Sequence, residues 1–122
     1  MELNIEDFRT FCLSLGPVSE DFPFDNKTLV FKVGGKIFAL VSIENFEYVN
    51  LKCDPERVVE LREEYPEGVR PGYHMNKTHW NSVYPYTDLP PKLFLELVRH
   101  SYQLIVQSLP KKTQQEILNH GS

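Results

Sequence analysis

The sequence predicts an α+β fold: a single domain, residues 1–122, with an antiparallel β-sheet packed by N-terminal, middle and long C-terminal helices. Three observations predict it. Residues 28–41 hold two β-rich runs split by Gly34-Gly35, the pattern of a two-residue hairpin. Apolar residues recur at spacings of three and four in three segments, each opened by a capping residue or proline and closed by glycine or proline. A length of 122 residues with 41% hydrophobic and 25% charged side chains suits one globular domain.

Asn4 is placed to cap the first helix, with Glu6 and Asp7 in its first turn, where carboxylates favour the positive helix end. Ile5, Phe8, Cys12 and Leu15 form its apolar face, and Gly16-Pro17 stops it. Val18 to Asn26, interrupted by Pro23, reads as an edge strand or an extended entry into the sheet. A turn at Gly34-Gly35 sets Phe31 opposite Phe38 and Leu29 opposite Leu40 on one face, with Val30, Ala39, Lys32 and Ile37 on the other. Glu47 to Cys53 alternates as a further strand. Asp54-Pro55 opens the middle helix, whose stripe is Val58, Leu61 and Tyr65 and which ends before Pro66 and Gly68. Arg70-Pro71-Gly72 reads as a turn, and Lys77 to Tyr84 as a strand. Pro90-Pro91 opens the long helix, with Phe94, Leu97, Val98, Ser101, Leu104 and Ile105 on one face and Pro110 at its end. Lys111 to Asn119 forms a last short helix, and His120-Gly121-Ser122 is expected to be loose.

No run of about 18 apolar residues exists, so no membrane span is expected. The acidic, polar start of the chain does not resemble a signal peptide, and only two cysteines occur, Cys12 and Cys53. A cytoplasmic setting is the expectation. The net charge of −4 argues against coating nucleic acid by bulk electrostatics. The distribution is uneven: residues 54–67 carry six acids against two bases, whereas residues 70–112 carry six bases against two acids. A basic face on an acidic molecule and plain solvation both fit this pattern.

The segment from Arg70 to Val83 is unlike a core strand. It holds the one Trp, two His, two Asn and two basic residues without an acid. Tyr73, Trp80 and the imidazoles can stack on flat ligands; Asn76 and Asn81 can read base edges; Arg70 and Lys77 can meet phosphates. Strand parity divides the segment. His74, Asn76 and Trp80 point one way, as an internal brace with Trp80 in the core; Lys77, His79 and Asn81 point the other, as the exposed binding set. Odd spacing keeps His74 and His79 from clamping one metal unless the chain bends between them, so no metal and no cofactor is expected. No Gly-x-Ser-x-Gly turn is present, Ser101 falls inside the core helix, and a Cys53–His pairing has no positive support. No catalytic residues are assigned; an enzyme would need a concave pocket that holds His74 or His79 with a perturbed pKa and a nearby acid or thiol.

Three motifs in order carry a resemblance. They are Lys32-Val33-Gly34-Gly35-Lys36-Ile37-Phe38-Ala39, then Leu51-Lys52-Cys53-Asp54-Pro55-Glu56, then Pro71-Gly72-Tyr73-His74-Met75-Asn76-Lys77-Thr78-His79-Trp80-Asn81-Ser82-Val83, with Ser101-Tyr102 following in the last long helix. Over nearly its whole length the chain resembles the MmcQ/YjbR family. The resemblance implies an α+β fold related to the CyaY-like fold. It also implies DNA binding through a "double wing" of β-hairpins, with double-stranded DNA as partner and a monomer as the expected state. Carried onto this chain, the Lys32–Phe38 hairpin and the Tyr73–Val83 segment supply the wings or the surface between them. Lys32, Lys36, Arg70, Lys77, His79 and Asn81 are the expected nucleic-acid contacts. Tyr73, His74, Asn76 and Trp80 are structural or ligand-binding. The acidic helix at 54–67 must then face away from a duplex. The alternative is a non-enzymatic module that binds a protein or a small ligand with the same strip.

Overall fold

Helix α1 (Ile5–Ser14) leads into strands β1 (Val18–Asp21), β2 (Thr28–Val33), β3 (Lys36–Ser42) and β4 (Val49–Lys52); α2 (Pro55–Glu64) is followed by β5 (Val69–Pro71) and β6 (Trp80–Val83), and the chain closes with α3 (Pro91–Ser108) and α4 (Lys111–His120). This is a computed structural model and describes residues 4–120. The expected loose end at Gly121-Ser122 lies outside the described residues, whereas His120 closes α4. The strands form one antiparallel sheet in the order β1-β2-β3-β4-β6-β5.

The caps act as expected. The Asn4 side chain accepts from the Asp7 N–H at 2.9 Å, and Asp54 Oδ1 accepts from the Glu56 N–H at 3.0 Å. Gly34 and Gly35 sit at φ 59° and 82°, the pair of left-handed conformations that a tight hairpin turn requires. Three boundaries differ from expectation. β1 is only four residues long, leaving Phe22 and Phe24 exposed. Arg70-Pro71 belongs to a three-residue edge strand rather than a turn, and Pro71 is tolerated there because an edge needs no further donor. Residues 72–79 form consecutive turns, so the expected strand begins only at Trp80.

The hairpin register also departs from simple counting. Lys32 pairs with Ile37, but Phe31 pairs with Ala39, Val30 with Leu40 and Leu29 with Val41. Phe38 is the extra residue of a bulge, so Phe38 and Ala39 both turn towards the helices. Phe31 and Phe38 still touch, with ring centroids 6.4 Å apart. Along the sheet, Phe31, Ala39, Leu51 and Asn81 then lie in register on the helix side, and Val30, Leu40, Asn50 and Ser82 on the other.

The main core cluster lies on the helix side, while Val30 is fully buried on the other face. Phe8 of α1 meets Phe31 edge-on at 5.6 Å, and Tyr102 of α3 meets Phe38 edge-on at 5.4 Å. Helix α3 buries Phe94, Leu97, Val98, Ser101, Tyr102 and Ile105; Leu104, expected in this face, is only half-buried. Val58 and Leu61 bring α2 onto the same side. Among the described residues, no helix packs on the opposite sheet face. Among the described residues, no helix is long and apolar enough to cross a membrane.

Two polar contacts lock α3 to the sheet. The fully buried Ser101 hydroxyl donates to the Phe38 carbonyl at 2.5 Å and accepts from the Lys52 N–H at 2.9 Å. It bridges β3 and β4 just beyond the last regular pair, Ala39–Leu51. Beside it in the same helix, His100 Nε2 accepts from the Asp54 N–H at 3.2 Å. Burial, and secondly the nearby Arg57 cation, hold the His100 pKa below its ordinary value.

Ser101→Ala leaves a buried N–H and a buried C=O unpaired, and is expected to destabilise the fold by roughly 2–4 kcal/mol. Urea unfolding should show this as a lower midpoint with an unchanged slope. A second expectation concerns pH. Because the folded His100 pKa is depressed, the unfolded chain takes up the proton first as pH falls below about 6.5. The stabilising contribution is present above that pH and is lost as pH falls towards the folded value. Between pH 7.5 and 5.5 the urea midpoint should fall more steeply in the wild type than in His100→Gln. Equal slopes would assign the effect to other groups.

Candidate functional site

Strand register decides which parts of the Arg70–Val83 segment meet. Trp80 pairs with Lys52, Asn81 with Leu51, and Ser82 with Asn50. Leu51 points into the core, so Asn81 does too, while Trp80, Lys52, Asn50 and Ser82 take the helix-free face. This corrects the expected division. Asn81 is 1% exposed and is not available as a surface contact. Trp80 is half-buried on the helix-free face rather than in the core.

A polar residue is tolerated on the core side because Arg62 of α2 reaches beneath the sheet. Arg62 Nε donates to Asn81 Oδ1 at 2.9 Å, and Nη2 donates to the Lys77 carbonyl at 2.6 Å and the Trp80 carbonyl at 3.3 Å. Partial burial lowers the Arg62 pKa from its usual value. One guanidinium thus gathers the end of the 72–79 loop and the start of β6.

On the helix-free face a second polar cluster fixes the front of the loop. The Ser82 hydroxyl donates to Asn50 Oδ1 at 2.5 Å and accepts from the Tyr73 N–H at 2.9 Å. Asn50 Nδ2 donates to the Tyr73 carbonyl at 3.2 Å. Together they engage both backbone groups of Tyr73, much as a neighbouring strand would. Within the loop, the Asn76 side chain accepts from the Thr78 N–H at 2.9 Å, and Lys77 Nζ donates to the Gly72 carbonyl at 3.2 Å. Gly72 is needed where the backbones cross: a Cβ there would stand 2.9 Å from the Trp80 Cβ and carbonyl oxygen. His74, two residues on, holds φ 60°, a left-handed conformation that is uncommon outside glycine.

The loop so held forms one wall of a groove of ≈ 400 Å³ over the helix-free face. Tyr73, His74, Met75 and Trp80 line it, with Leu40 and Tyr48 from the neighbouring strand and loop. The rings are interlinked. Tyr73 and His74 have centroids 4.0 Å apart, Tyr48 meets Tyr73 edge-on at 6.3 Å, and Tyr48 lies 5.2 Å from Tyr84. Burial, with the neighbouring tyrosines secondary, raises the Tyr48 phenol pKa.

The groove therefore gathers Tyr73, His74 and Trp80, whereas Lys77 and His79 are exposed on the loop and do not line it. Asn76 ties the turn, as expected of it. Arg70 lies on the helix-free face, pinned by the Glu67 carbonyl oxygen at 3.0 Å and by the Tyr84 ring 4.1 Å beneath its guanidinium. Lys32 is on the same face, its Nζ 4.0 Å from an Asp21 carboxylate oxygen, and Lys36 is exposed at the hairpin turn. Sequence reading missed Tyr48, Asn50, Lys52 and Met75. The motif Leu51-Lys52-Cys53 held the only signal for Lys52, and nothing local tied Tyr48 or Asn50 to the loop.

The serine and the two thiols considered as nucleophiles are shielded, whereas His74 and Tyr73 are exposed in the groove. Ser101 is inside the core, and Cys12 and Cys53 are buried free thiols. Burial raises both thiol pKa values, that of Cys53 to about 11, so neither is a thiolate near neutral pH. Among the described residues, no three His, Cys, Asp or Glu side chains are gathered to hold a metal ion.

A family model described as YjbR matches residues 13–104. The chain belongs to the YjbR family. It is 39% identical over 113 residues to the protein YbdF of Escherichia coli O157:H7, covering 92% of each chain. It is 34% identical over 111 residues to YjbR of E. coli K12, covering 90% of this chain and 93% of that one. The crystal structure of Deinococcus radiodurans protein DR2400, a DUF419 domain, superposes with TM-score 0.87 at 40% identity, covering 93% of this chain and 87% of its own. A Pseudomonas syringae protein superposes with TM-score 0.69 at 28% identity, covering 84% and 99%. The matched span includes the groove strands, the 72–79 loop, Arg62 and Ser101 of this chain.

Arg62→Met keeps much of the aliphatic stem but removes every donor. It is expected to destabilise the protein by roughly 2–4 kcal/mol, since Asn81 Oδ1 and two carbonyls are deprived of a charged partner. Amide hydrogen exchange should rise selectively in residues 76–81; uniform change across the sheet would contradict a local tie.

Proposed function

We propose that this YjbR-family protein is a non-enzymatic DNA-binding protein that engages its ligand with the helix-free sheet face. The observation that supports this reading best is the separation of charge between the two layers. Lys32, Lys52 and Arg70 occupy the helix-free face by strand register. The exposed acids Glu56, Glu60, Glu63 and Glu64 ride on α2, in the opposite layer. The net charge of −4 is therefore not what an approaching polyanion meets first. The turn at Gly34-Gly35 and the 72–79 loop leave the sheet at the same end, one on each side of β4. They are suited to act as two wings, with Lys36 and Lys77 at their tips and a duplex as the expected partner. His79 is an exposed donor beside the second wing. A monomer in the cytoplasm is part of the same reading, in keeping with two free thiols.

A second reading has its own support. The groove volume falls in the usual range for small-ligand sites, about 300–1,000 Å³, and its rings suit a planar ligand. In that case a flat heteroaromatic compound would raise the melting temperature while DNA would not.

Fluorescence anisotropy with a labelled duplex tests the first reading. Binding should weaken as salt rises from about 50 to 200 mM. Lys32→Ala/Lys36→Ala should make the log–log slope shallower by about 2, close to one for each phosphate left without its lysine. A wild-type slope near zero would remove phosphate contacts from the account.

A further inference from the structure

We propose that the groove beside Trp80 receives an unstacked base, so that the DNA bound on this face is single-stranded at the point of contact. This rests on the DNA-binding reading and specifies the form of its ligand.

The rings decide between paired and unpaired DNA. A duplex keeps its base faces stacked and offers only edges and phosphates; ring faces can be used only by bases that have left the stack. The groove is lined by residues that carry such rings. Trp80, Tyr73, His74 and Tyr48 converge on it, and Met75 and Leu40 supply apolar contact. Its stacking groups are held in advance. Asn50 and Ser82 fix both backbone groups of Tyr73, Arg62 holds the Trp80 carbonyl from below, and His74 adopts φ 60° beside Tyr73. Tyr73 nevertheless remains 58% exposed, so its ring is open to a ligand.

The cations point the same way. A duplex bound by its backbone needs many free cations on one face. Here Arg70 is engaged by the Tyr84 ring and the Glu67 carbonyl, and Lys32 stands near Asp21. Lys52 lies opposite Trp80 on the adjoining strand and on the same face. One lysine beside one stacking ring suits a nucleotide: the ring takes the base and the ammonium takes its phosphate. Lys36 and Lys77 stand exposed on the hairpin turn and the loop but do not line the groove, so within the groove base stacking on the rings is the larger contribution.

Trp80 is the only tryptophan, so its intrinsic fluorescence reports the groove directly. The test titrates the full chain with dT12, the matching rU12, and a 12-base-pair duplex at one salt concentration. The expected results are binding of dT12 at least about tenfold tighter than of duplex, and quenching of Trp80 fluorescence on saturation. Tyr73→Ala, at an exposed loop position, should weaken dT12 binding about 5- to 100-fold with the urea midpoint little changed. Trp80→Ala should abolish most binding, but Tyr73→Ala and the wild-type quenching decide the matter if that variant fails to fold. Tighter binding of rU12 with the same quenching keeps the base site and names RNA as its source. Equal or tighter duplex binding overturns this inference and leaves the DNA-binding reading standing. Binding of dT12 without quenching, and undiminished in Tyr73→Ala, also overturns it by placing the contact elsewhere. No binding of any of the three overturns both.

Discussion

The Ser101 hydroxyl is the point on which the layers depend. A bulge at Phe38 turns Phe38 and its neighbour Ala39 both into the core, which fills the space under α3. The same bulge ends the regular β3–β4 ladder and leaves the Phe38 carbonyl and the Lys52 N–H in need of partners. Ser101 satisfies both with one hydroxyl, from a fully buried position. Tyr102 then packs edge-on against Phe38. A serine in the middle of an apolar helix face is thus explained by the strands it joins. Because Lys52 is held at this junction, so is the position of its neighbour in register, Trp80.

From that junction the helix-free face is assembled by polar groups rather than by apolar packing. Residues 72–79 belong to no strand. They are tied instead by Arg62 from one side of the sheet and by Asn50 and Ser82 from the other. A loop so tied has little conformational freedom left. Its aromatic side chains stay exposed or half-exposed, because the hydrogen bonds, not the rings, hold it in place.

Charge and shape agree on the same face. The helix layer covers one side of the sheet and carries the acidic surface of α2, with Arg57 of α2 tied to Glu96 of α3 at 2.9 Å. The other side keeps lysines, tyrosines and the tryptophan. By strand register the helix-free face carries Lys32, Lys52 and Arg70 together with the carboxylate of Asp21.

Local signals were enough for the helices, the hairpin and the family. Capping side chains, paired glycines and the three-and-four spacing are each read by backbone geometry within a few residues. Lys36 lies exposed for an equally local reason, its place at the hairpin turn, whereas Lys77, also on the surface, has its Nζ tied to the Gly72 carbonyl. Which side of each strand faces the helices was settled only by the assembled sheet. Parity presumes a strand, and of the six residues it divides only Trp80 and Asn81 lie on one; it sets those two on the wrong sides, and the turns at 72–79 leave His74, Asn76, Lys77 and His79 all exposed. The polar Asn81 faces the core because Arg62, nineteen positions earlier, reaches it. The apolar Trp80 faces outward because Leu51 fixes the opposite parity on the next strand. The one-residue slip at Phe38 was equally invisible, since its stabilising partner, Ser101, lies sixty-three residues away. A side chain's partner across the sheet is a long-range fact, and no local pattern encodes it.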